Sequence, residues 1–388
     1  MADRSLVFPA QEYRDRIARL QTAMAAHGLE ALLLTTPADV FYTTGFLTRF
    51  WASPARPWFL VVPQTGAPLA VIPSIGAALM GRTWLDDIRT WDAPDPRDDG
   101  ISLLFDALCE CVSAQGRIGL PMRLETHLRM PLEDYETLRA KLAPRQIVDA
   151  TECVQRVREV KSDAEIAKIR DSCSIAGRAF ARVPEFVSAG TPLDAIFRDF
   201  QITLLAEGAD WVSYVAGGAG AYGYGDVISP AGATPVQRGD VLMLDTGAVK
   251  GGYFCDFDRN FAIGKATDTA RYAHAALWQA TEDTLCALRP GMRACDAHRM
   301  LSDALHKQGV APAGGRLGHG LGLTLTEWPS FTPLDETRLR AGMVLTLEPG
   351  CITGADRIMV HEENIVLREH GAELLSPRAP SDLPEIVT

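Results

Sequence analysis

The fold of this chain is decided by residues 241–264, which read VLMLDTGAVKGGYFCDFDRNFAIG. The apolar runs at 241–244 and 261–263 are short, rich in strand-forming residues and bounded by glycines, which indicates two β-strands. Gly247, Gly251 and Gly252 lie between them and permit a tight return. We therefore predict a hairpin-like unit in this stretch.

Two aspartates occupy equivalent places in that unit. Asp245 follows the first apolar run and Asp256 leads into the second, eleven residues later (256 − 245). This spacing lets the two carboxylates converge across paired strands. Because carboxylates repel one another, burying them together needs a proton or a cation between them. A hard divalent metal ion is the usual solution, so the hairpin predicts a metal site.

Three more candidate ligands lie beside strands or glycine turns further along the chain. His319 sits in the glycine-rich run RLGHGLGL, Glu348 follows an apolar run and precedes Pro-Gly, and Glu362 precedes a further strand-like run. A single aspartate at a strand end is more often a turn or cap residue than a metal ligand. The ordered set is a stronger indication, and the predicted metal ligands are Asp245, Asp256, His319, Glu348 and Glu362.

The order of these residues and the strings around them resemble metallopeptidase family M24, which includes Xaa-Pro aminopeptidase, prolidase, methionine aminopeptidase and creatinase. LDTGAVKGGYFCDFDRNFAIG is similar to the family's D-x-G…GY…D-x-x-R-x-F…G pattern. GHGLG is similar to its histidine signature, and LTLEPG and HEENIVL are similar to its two glutamate signatures. The resemblance implies an α+β catalytic domain of the pita-bread fold.

The resemblance also implies two divalent metal ions and a reaction. Asp245 would bind one ion, His319 and Glu348 the other, and Asp256 and Glu362 would bridge them. Two metals lower the pKa of a shared water from 15.7 towards ~7, giving a bridging hydroxide near neutral pH. Glu348 would take the proton and deliver it to the leaving group. The expected reaction is Xaa-Pro peptidase-like hydrolysis of an amide or related C–N bond. Manganese, cobalt, zinc and iron all suit such ligands.

Two histidines that the family's peptidases use to hold the substrate carbonyl are missing. Eleven residues before Gly239 the chain has Ile228, and the family's His-Glu-x-Pro string begins here with Thr326. Losing one such hydrogen-bond donor costs ~10²–10³ in rate unless another group replaces it. The candidate replacements are Tyr222, Tyr224, Thr326, Arg316 and His361.

The substrate prediction follows from this departure. We expect either a dipeptide-sized peptide or a small non-peptide amino-acid derivative, with Trp51, Trp58 and residues 48–56 shaping its pocket. Packing on the pocket rim is the alternative for Tyr222 and Tyr224, and packing in a domain core is the alternative for the two tryptophans.

Other reaction classes stay open. A lyase acting on a small zwitterion needs a base and a Lewis acid but no histidine on a carbonyl. A metal-free hydrolase of the creatinase type is disfavoured because creatinase lacks the carboxylate ligands present here. A non-enzymatic binding module that retains the fold is disfavoured because such relatives tend to lose ligands.

The remainder of the chain predicts two domains. Strands alternate with helices over the N-terminal part, which indicates an α/β domain and resembles the smaller domain of creatinase and prolidase. Ser162 and Glu165 form a capping-box pattern that opens a long helix. We place the domains at 1–155 and 156–388, and by resemblance to the creatinase and prolidase branch we expect a homodimer.

Composition excludes several classes of partner. The chain has 388 residues and a formal net charge of −11, with no basic cluster, so neither nucleic acid nor an anionic membrane is an expected partner. Its eight cysteines show no paired spacing, which indicates free thiols in a reducing compartment. No signal peptide and no run of 18 apolar residues is visible, so we expect a cytoplasmic protein.

Overall fold

The computed structural model describes residues 7–52 and 56–387. The chain divides into two compact units, Met1–Arg158 and Glu159–Thr388. The division lies three residues after the predicted boundary (158 − 155), because a helix spanning Thr151–Arg158 continues through position 155. The end of that helix belongs to the first unit, where Arg158 Nη1 lies 2.7 Å from Asp39 Oδ1.

Among its described residues, the first unit has six α-helices and six strands. The helices are α1 (Ala10–His27), α2 (Pro37–Thr44), α3 (Ala77–Met80), α4 (Ile101–Cys111), α5 (Leu132–Leu142) and α6 (Thr151–Arg158). The strands are β1 (Ala31–Leu34), β2 (Phe59–Pro63), β3 (Leu69–Pro73), β4 (Ile88–Trp91), β5 (Arg117–Leu120) and β6 (Gln146–Asp149). They form one mixed sheet in the order β4-β3-β2-β1-β5-β6, with β1 parallel to β5 and antiparallel to β2.

Local sequence explains the first elements of this unit. Helix α1 ends where Gly28 adopts a left-handed conformation (φ 62°), as its C-cap position predicts. Trp58 is 2% exposed, and its ring packs 5.2 Å from Phe46 and 5.5 Å from Trp51. This aromatic cluster gives Trp58 a place in the core of the unit. Residues 53–55 of the predicted pocket segment lie outside the described residues.

In the described part of the second unit, the predicted ligands lie on strands or directly beside them, and four long helices accompany these strands. The helices are α7 (Asp163–Ala181), α8 (Leu193–Ala206), α9 (Asp268–Ala287) and α10 (Ala294–Lys307). The strands are β7 (Trp211–Gly220), β8 (Val241–Lys250), β9 (Tyr253–Phe254), β10 (Phe257–Ile263), β11 (Pro312–Ala313), β12 (His319–Gly320), β13 (Glu327–Ser330), β14 (Val344–Leu347), β15 (Gly350–Gly354), β16 (Arg357–Val360), β17 (Glu363–Arg368), β18 (Gly371–Leu374) and β19 (Glu385–Ile386).

These strands form three sheets. One has the order β19-β10-β8-β7, with β9 also paired to β8, and a second has the order β13-β12-β14-β17-β18. A small third sheet has the order β11-β15-β16. Helix α7 begins with the predicted capping box, in which the Ser162 side chain accepts from Glu165 N–H. Within the described residues, no helix combines the length and apolar composition that a bilayer crossing requires.

The predicted hairpin exists, but its turn is shorter than expected. Strand β8 runs on through Asp245 and Gly247, and the return is made by Gly251 (φ 59°) and Gly252 (φ 86°). The prediction that Gly247 belongs to the turn was wrong. Its small size serves close packing instead, because a Cβ at Gly247 would lie 2.6 Å from Tyr214 Cε1.

Helix α9 contacts the C-terminal segment 377–384 within the second unit. Trp278 Nε1 donates to the carbonyl of Ala379 (2.9 Å), and His274 Nε2 lies 3.0 Å from the carbonyl of Pro380. A ring nitrogen facing a carbonyl carries the proton, so His274 is the Nε2–H tautomer when neutral. His274 is 2% exposed.

The burial of His274 predicts a pH dependence of stability. Burial lowers the pKa of His274 below its ordinary 6.5; Arg259 and Arg378 act in the same direction, and the Pro380 carbonyl and Asp382 oppose it. The unfolded chain therefore takes up a proton first as the pH falls. The contribution of neutral, buried His274 to the free energy of unfolding is fully present above pH 6.5 and declines as the pH falls below that value.

We expect the His274→Phe variant to lose less stability than the parent on acidification. The difference in slope below pH 6.5 should approach about 1.4 kcal/mol per pH unit. Urea unfolding at several pH values between 5 and 8 measures it. His306→Phe, at an exposed position on α10, is the matched control. Identical slopes in the parent and His274→Phe would contradict the prediction.

Candidate metal centre

All five predicted ligands converge in the second unit. Asp245 and Asp256 come from β8 and the residue before β10; His319 begins β12, Glu348 follows β14, and Glu362 precedes β17. Carboxylate oxygens of Asp245, Asp256 and Glu362 lie within 4.8 Å of one another. His319 Nε2 lies 3.2 Å from Asp256 Oδ2 and 3.7 Å from Glu348 Oε2. The structure thus brings together residues that are up to 117 positions apart (362 − 245).

The glycines around His319 allow its backbone to lie deep in the sheet. A Cβ at Gly318 would lie 2.4 Å from the Thr346 carbonyl, and one at Gly320 would lie 2.3 Å from the Trp328 carbonyl. His319 Nδ1 is 2.8 Å from the Gly320 carbonyl, so this nitrogen carries the proton. The Nε2 lone pair of the neutral ring therefore faces the carboxylates, as a metal-binding histidine requires.

The two predicted bridging carboxylates are held through their backbones. Asn364 Oδ1 accepts from Asp256 N–H at 2.9 Å, and its Nδ2 donates to the Asp256 carbonyl. Asp258 Oδ1 accepts from Glu362 N–H at 2.5 Å, and Arg259 Nη1 donates to the Glu362 carbonyl at 2.9 Å. Strands β10 and β17 therefore fix where both side chains point.

Tyr214, which sequence reasoning missed, joins two of the ligands. Its hydroxyl oxygen lies 2.9 Å from Asp245 Oδ2 and 2.5 Å from Asp256 Oδ1. The single hydroxyl proton serves one of these oxygens at a time. Tyr214 lies on β7 at a register irregularity between Val212 and Val215. The β-rich run WVSYV could have predicted the strand, but only the pairing of β7 with β8 places Tyr214 here.

Burial and mutual repulsion shape the electrostatics of this cluster. Burial, followed by repulsion from neighbouring carboxylates, raises the pKa values of Asp245 and Glu362 well above their usual range. Burial also raises the pKa of Glu348, with His319 opposing it. Burial lowers the pKa of His319, but Glu348 and Asp256 outweigh it and bring the value to about 8. Without a cation, the cluster therefore keeps protons near neutral pH.

Several carboxylate oxygens of this cluster lack hydrogen-bond partners among the described residues, and a divalent ion could take the place of those partners. Within the described part of the chain, Asp245 Oδ1, Glu348 Oε1 and Glu362 Oε2 are buried and accept no hydrogen bond. A buried unpaired acceptor is costly, and a charged one more so. Three such oxygens beside an imidazole lone pair fit divalent cations, for which oxygen and nitrogen donors are the normal ligands.

The predicted replacement groups are placed differently from one another. Arg316 Nε lies 3.3 Å from Glu348 Oε1 without hydrogen-bond geometry, and the Arg316 side chain is 39% exposed. The Thr326 carbonyl accepts from the Thr324 hydroxyl at 2.8 Å. His361 Nε2 lies 2.9 Å from Arg378 Nη1, so its ring serves a different contact. Arg316 is the member of this group whose side chain meets a predicted ligand.

The two tyrosine candidates lie in contrasting surroundings. Tyr222 is 51% exposed on a turn after β7. Tyr224 is buried, and its hydroxyl accepts from Val360 N–H (2.7 Å) while lying 3.2 Å from Asn260 Oδ1. These contacts use the Tyr224 hydroxyl as both donor and acceptor, so the group is not available to hold a substrate carbonyl. Ile228, where the first family histidine was expected, is 83% exposed.

Comparison with known families agrees with this site. The sequence profile of "Metallopeptidase family M24" matches residues 167–369, which is more than half of the chain. The chain belongs to metallopeptidase family M24. A second profile, "Creatinase/Prolidase N-terminal domain", matches residues 16–160. The predicted family, fold class and hydrolase class are confirmed.

Relatives match the M24 chain over nearly its whole length. "Probable dipeptidase PepE" of Mycobacterium bovis is 28% identical over 369 residues, covering 94% of each chain. "Xaa-Pro dipeptidase" of Pyrococcus furiosus is 23% identical over 371 residues, covering 94% of this chain and 98% of the relative. The crystal structure of dipeptidase PepE from Mycobacterium ulcerans superposes with a TM-score of 0.84 at 27% identity, covering 98% and 99% of the two chains.

Proposed function

We propose that this protein is a dinuclear-metal-dependent dipeptidase that hydrolyses the amide bond of Xaa-Pro or similar dipeptides. The observation that carries the proposal is the convergence of four carboxylates and the His319 imidazole, with three buried carboxylate oxygens that accept no hydrogen bond within the described residues. The names of the relatives support the substrate class, since one is a dipeptidase and another an Xaa-Pro dipeptidase.

The ligand set would hold two divalent ions. The residues that would hold them are Asp245, Asp256, His319, Glu348 and Glu362. Four carboxylates balance two dications, so the filled site is neutral. When bound, such ions lower the pKa of a water molecule and polarise a carbonyl oxygen. Manganese, cobalt, zinc and iron remain the candidate ions.

The protein residues supply the remaining functions. Glu348 would accept a proton from water and return it to the leaving nitrogen, since its Oε1 is buried and accepts no hydrogen bond within the described residues. Tyr214 holds the side chains of Asp245 and Asp256 in one arrangement through its hydroxyl. Arg316 lies beside Glu348 and is partly exposed, so its guanidinium can pair with the carboxylate group of a short substrate.

A second candidate function rests on the missing histidines. With Ile228 exposed and Thr326 in place of the other imidazole, neither position supplies a ring to hold a substrate carbonyl. An elimination, or C–N hydrolysis, on a small zwitterionic amino-acid derivative does not need that ring. The metal-dependent dipeptidase is favoured because the relatives are named as dipeptidases. The homodimer expected from the resemblance stays a prediction.

The proposal is tested by turnover of matched dipeptides. We expect metal-loaded protein to release free amino acids from Xaa-Pro dipeptides, and chelation to abolish this activity until metal is restored. The measurement is amino-acid release with Xaa-Pro, Xaa-Ala and N-blocked Xaa-Pro substrates, alongside metal content by elemental analysis. About two ions per chain with no cleavage of any dipeptide would overturn the dipeptidase proposal and favour the second candidate.

A further inference from the structure

A cavity of about 300 Å³, separate from the candidate metal centre, lies in the second unit between α7, β10, α9 and the segment 377–384. None of the five predicted metal ligands lines it. Its walls are largely apolar, and they include Phe180, Phe261 and several prolines. Its polar side chains include His274 and Arg378. A cavity of this size suits a small ligand.

Two buried polar atoms of the cavity lining have no hydrogen-bond partner within the described residues. They are Nδ1 of His274 and Nε of Arg378. The same kind of unmet requirement marks Asp245, Glu348 and Glu362 in the metal centre. An unpaired buried polar group costs about 1–3 kcal/mol, so its presence indicates a missing partner.

The two atoms have opposite hydrogen-bonding characters. His274 Nε2 donates to the Pro380 carbonyl, so the neutral ring leaves Nδ1 as an acceptor. The terminal nitrogens of Arg378 are already engaged: Nη1 contacts His361 Nε2 (2.9 Å) and Glu363 Oε1 (3.1 Å), and Nη2 donates to the Trp278 carbonyl (3.0 Å). Its Nε–H is left as a donor.

The charge of Arg378 is already balanced inside the protein. Glu363 Oε1 lies 3.1 Å from one terminal nitrogen, and Glu282 Oε2 lies 3.4 Å from the other. Arg259 also pairs with Glu363, at 3.0 Å. Two guanidinium groups thus face two carboxylates. An anion would add an uncompensated charge and would bring its lone pairs against the lone pair of His274 Nδ1.

We propose that this cavity binds a small uncharged molecule with an apolar body and a primary carboxamide. The carboxamide oxygen accepts from Arg378 Nε–H, and its N–H donates to His274 Nδ1. A carboxamide carries its donor and acceptor on separate atoms, which suits partners on two different segments, α9 and the C-terminal segment. The apolar body packs against Phe180, Phe261 and the prolines.

Three probes of one shape test the choice of head group. All three carry a cyclopentane ring. Cyclopentanecarboxamide offers a hydrogen-bond donor and an acceptor, cyclopentanecarboxylate offers charged acceptors, and 1-cyclopentylethanone offers an acceptor alone. With metal-loaded protein at pH 8, we expect the carboxamide to bind at least tenfold more tightly than the other two. Saturation-transfer NMR and calorimetry measure this. Equal binding of the three probes would overturn the proposal.

Two variants locate the binding. His274→Phe removes the acceptor, and Ala181→Trp fills the cavity from an exposed lining position while keeping both polar atoms. We expect each to weaken carboxamide binding at least tenfold and to leave dipeptide turnover unchanged, with His306→Phe as the control. Binding that persists in both variants, or that competes with a dipeptide, would overturn the proposal. So would a carboxamide-soaked crystal that holds only ordered water in the cavity.

Discussion

The Asp256→Asn variant is expected to lower kcat on the best dipeptide by roughly 10⁴-fold. Weakened metal binding would remove several kcal/mol of transition-state stabilisation, which corresponds to a factor of about this size. Asp256 contacts His319 and Tyr214 and shares a 4.8 Å cluster with Asp245 and Glu362. The amide keeps the shape of the side chain but removes one of the negative charges that would hold two dications. Steady-state kinetics with elemental analysis of the bound metal measures the effect.

Stability separates this loss from misfolding. In metal-free protein, Asp256→Asn relieves repulsion between carboxylates but also weakens the contact with His319, so the two effects oppose each other and the free energy of unfolding should change far less than the activity. Added metal should stabilise the parent more than the variant, because only the parent keeps all the ligands. Asp268→Asn is the control, since the Asp268 side chain is 98% exposed on α9. Activity within tenfold of the parent at full metal content would show that Asp256 is not a ligand.

The Tyr214→Phe variant is expected to lower kcat by about 10²-fold and to weaken metal binding by roughly tenfold or more. The ring stays packed over Gly247, where a Cβ would lie 2.6 Å from Cε1, so the fold should be retained. The lost hydroxyl leaves Asp245 and Asp256 without their shared partner. Kinetics over a series of free metal concentrations separates the effect on metal affinity from the effect on turnover.

Two other tyrosines provide matched controls for that experiment. Tyr222→Phe, at an exposed position, should leave kcat within about twofold of the parent. Tyr224→Phe loses the hydroxyl contacts to Val360 and Asn260, so it should lower stability by about 1 kcal/mol rather than abolish turnover. A Tyr214→Phe enzyme with parental kcat and metal affinity would show that the hydroxyl does not position the ligands.

Sequence reasoning selected five side chains that converge in the structure because each one lies in a short string with its own local geometry. His319 lies between two glycines because a Cβ at either neighbouring position would lie within 2.4 Å of a backbone carbonyl of another strand. The string GHG shows this requirement for small residues directly. Glu348 follows β14, and Glu362 stands directly before β17, so a strand boundary marks each position. The capping box of α7 and the glycine that ends α1 are likewise local, and both were predicted.

The contacts around the candidate ligands depend on strand pairing and packing, because they join residues that are far apart in the sequence. Tyr214 reaches Asp245 and Asp256 only because β7 pairs with β8 past a register irregularity. Position 247 lies within the paired strand β8, and it is glycine because the Tyr214 ring occupies the space that a side chain would need there. The cavity lined by His274 and Arg378 also depends on packing, because α9 and the C-terminal segment bring together two residues that are 104 positions apart (378 − 274). Local sequence was therefore enough to predict the family and the fold class, both of which are confirmed, and to name five candidate ligands, whose role stays a prediction. The tertiary structure alone decided which groups hold those ligands and where a second ligand can bind.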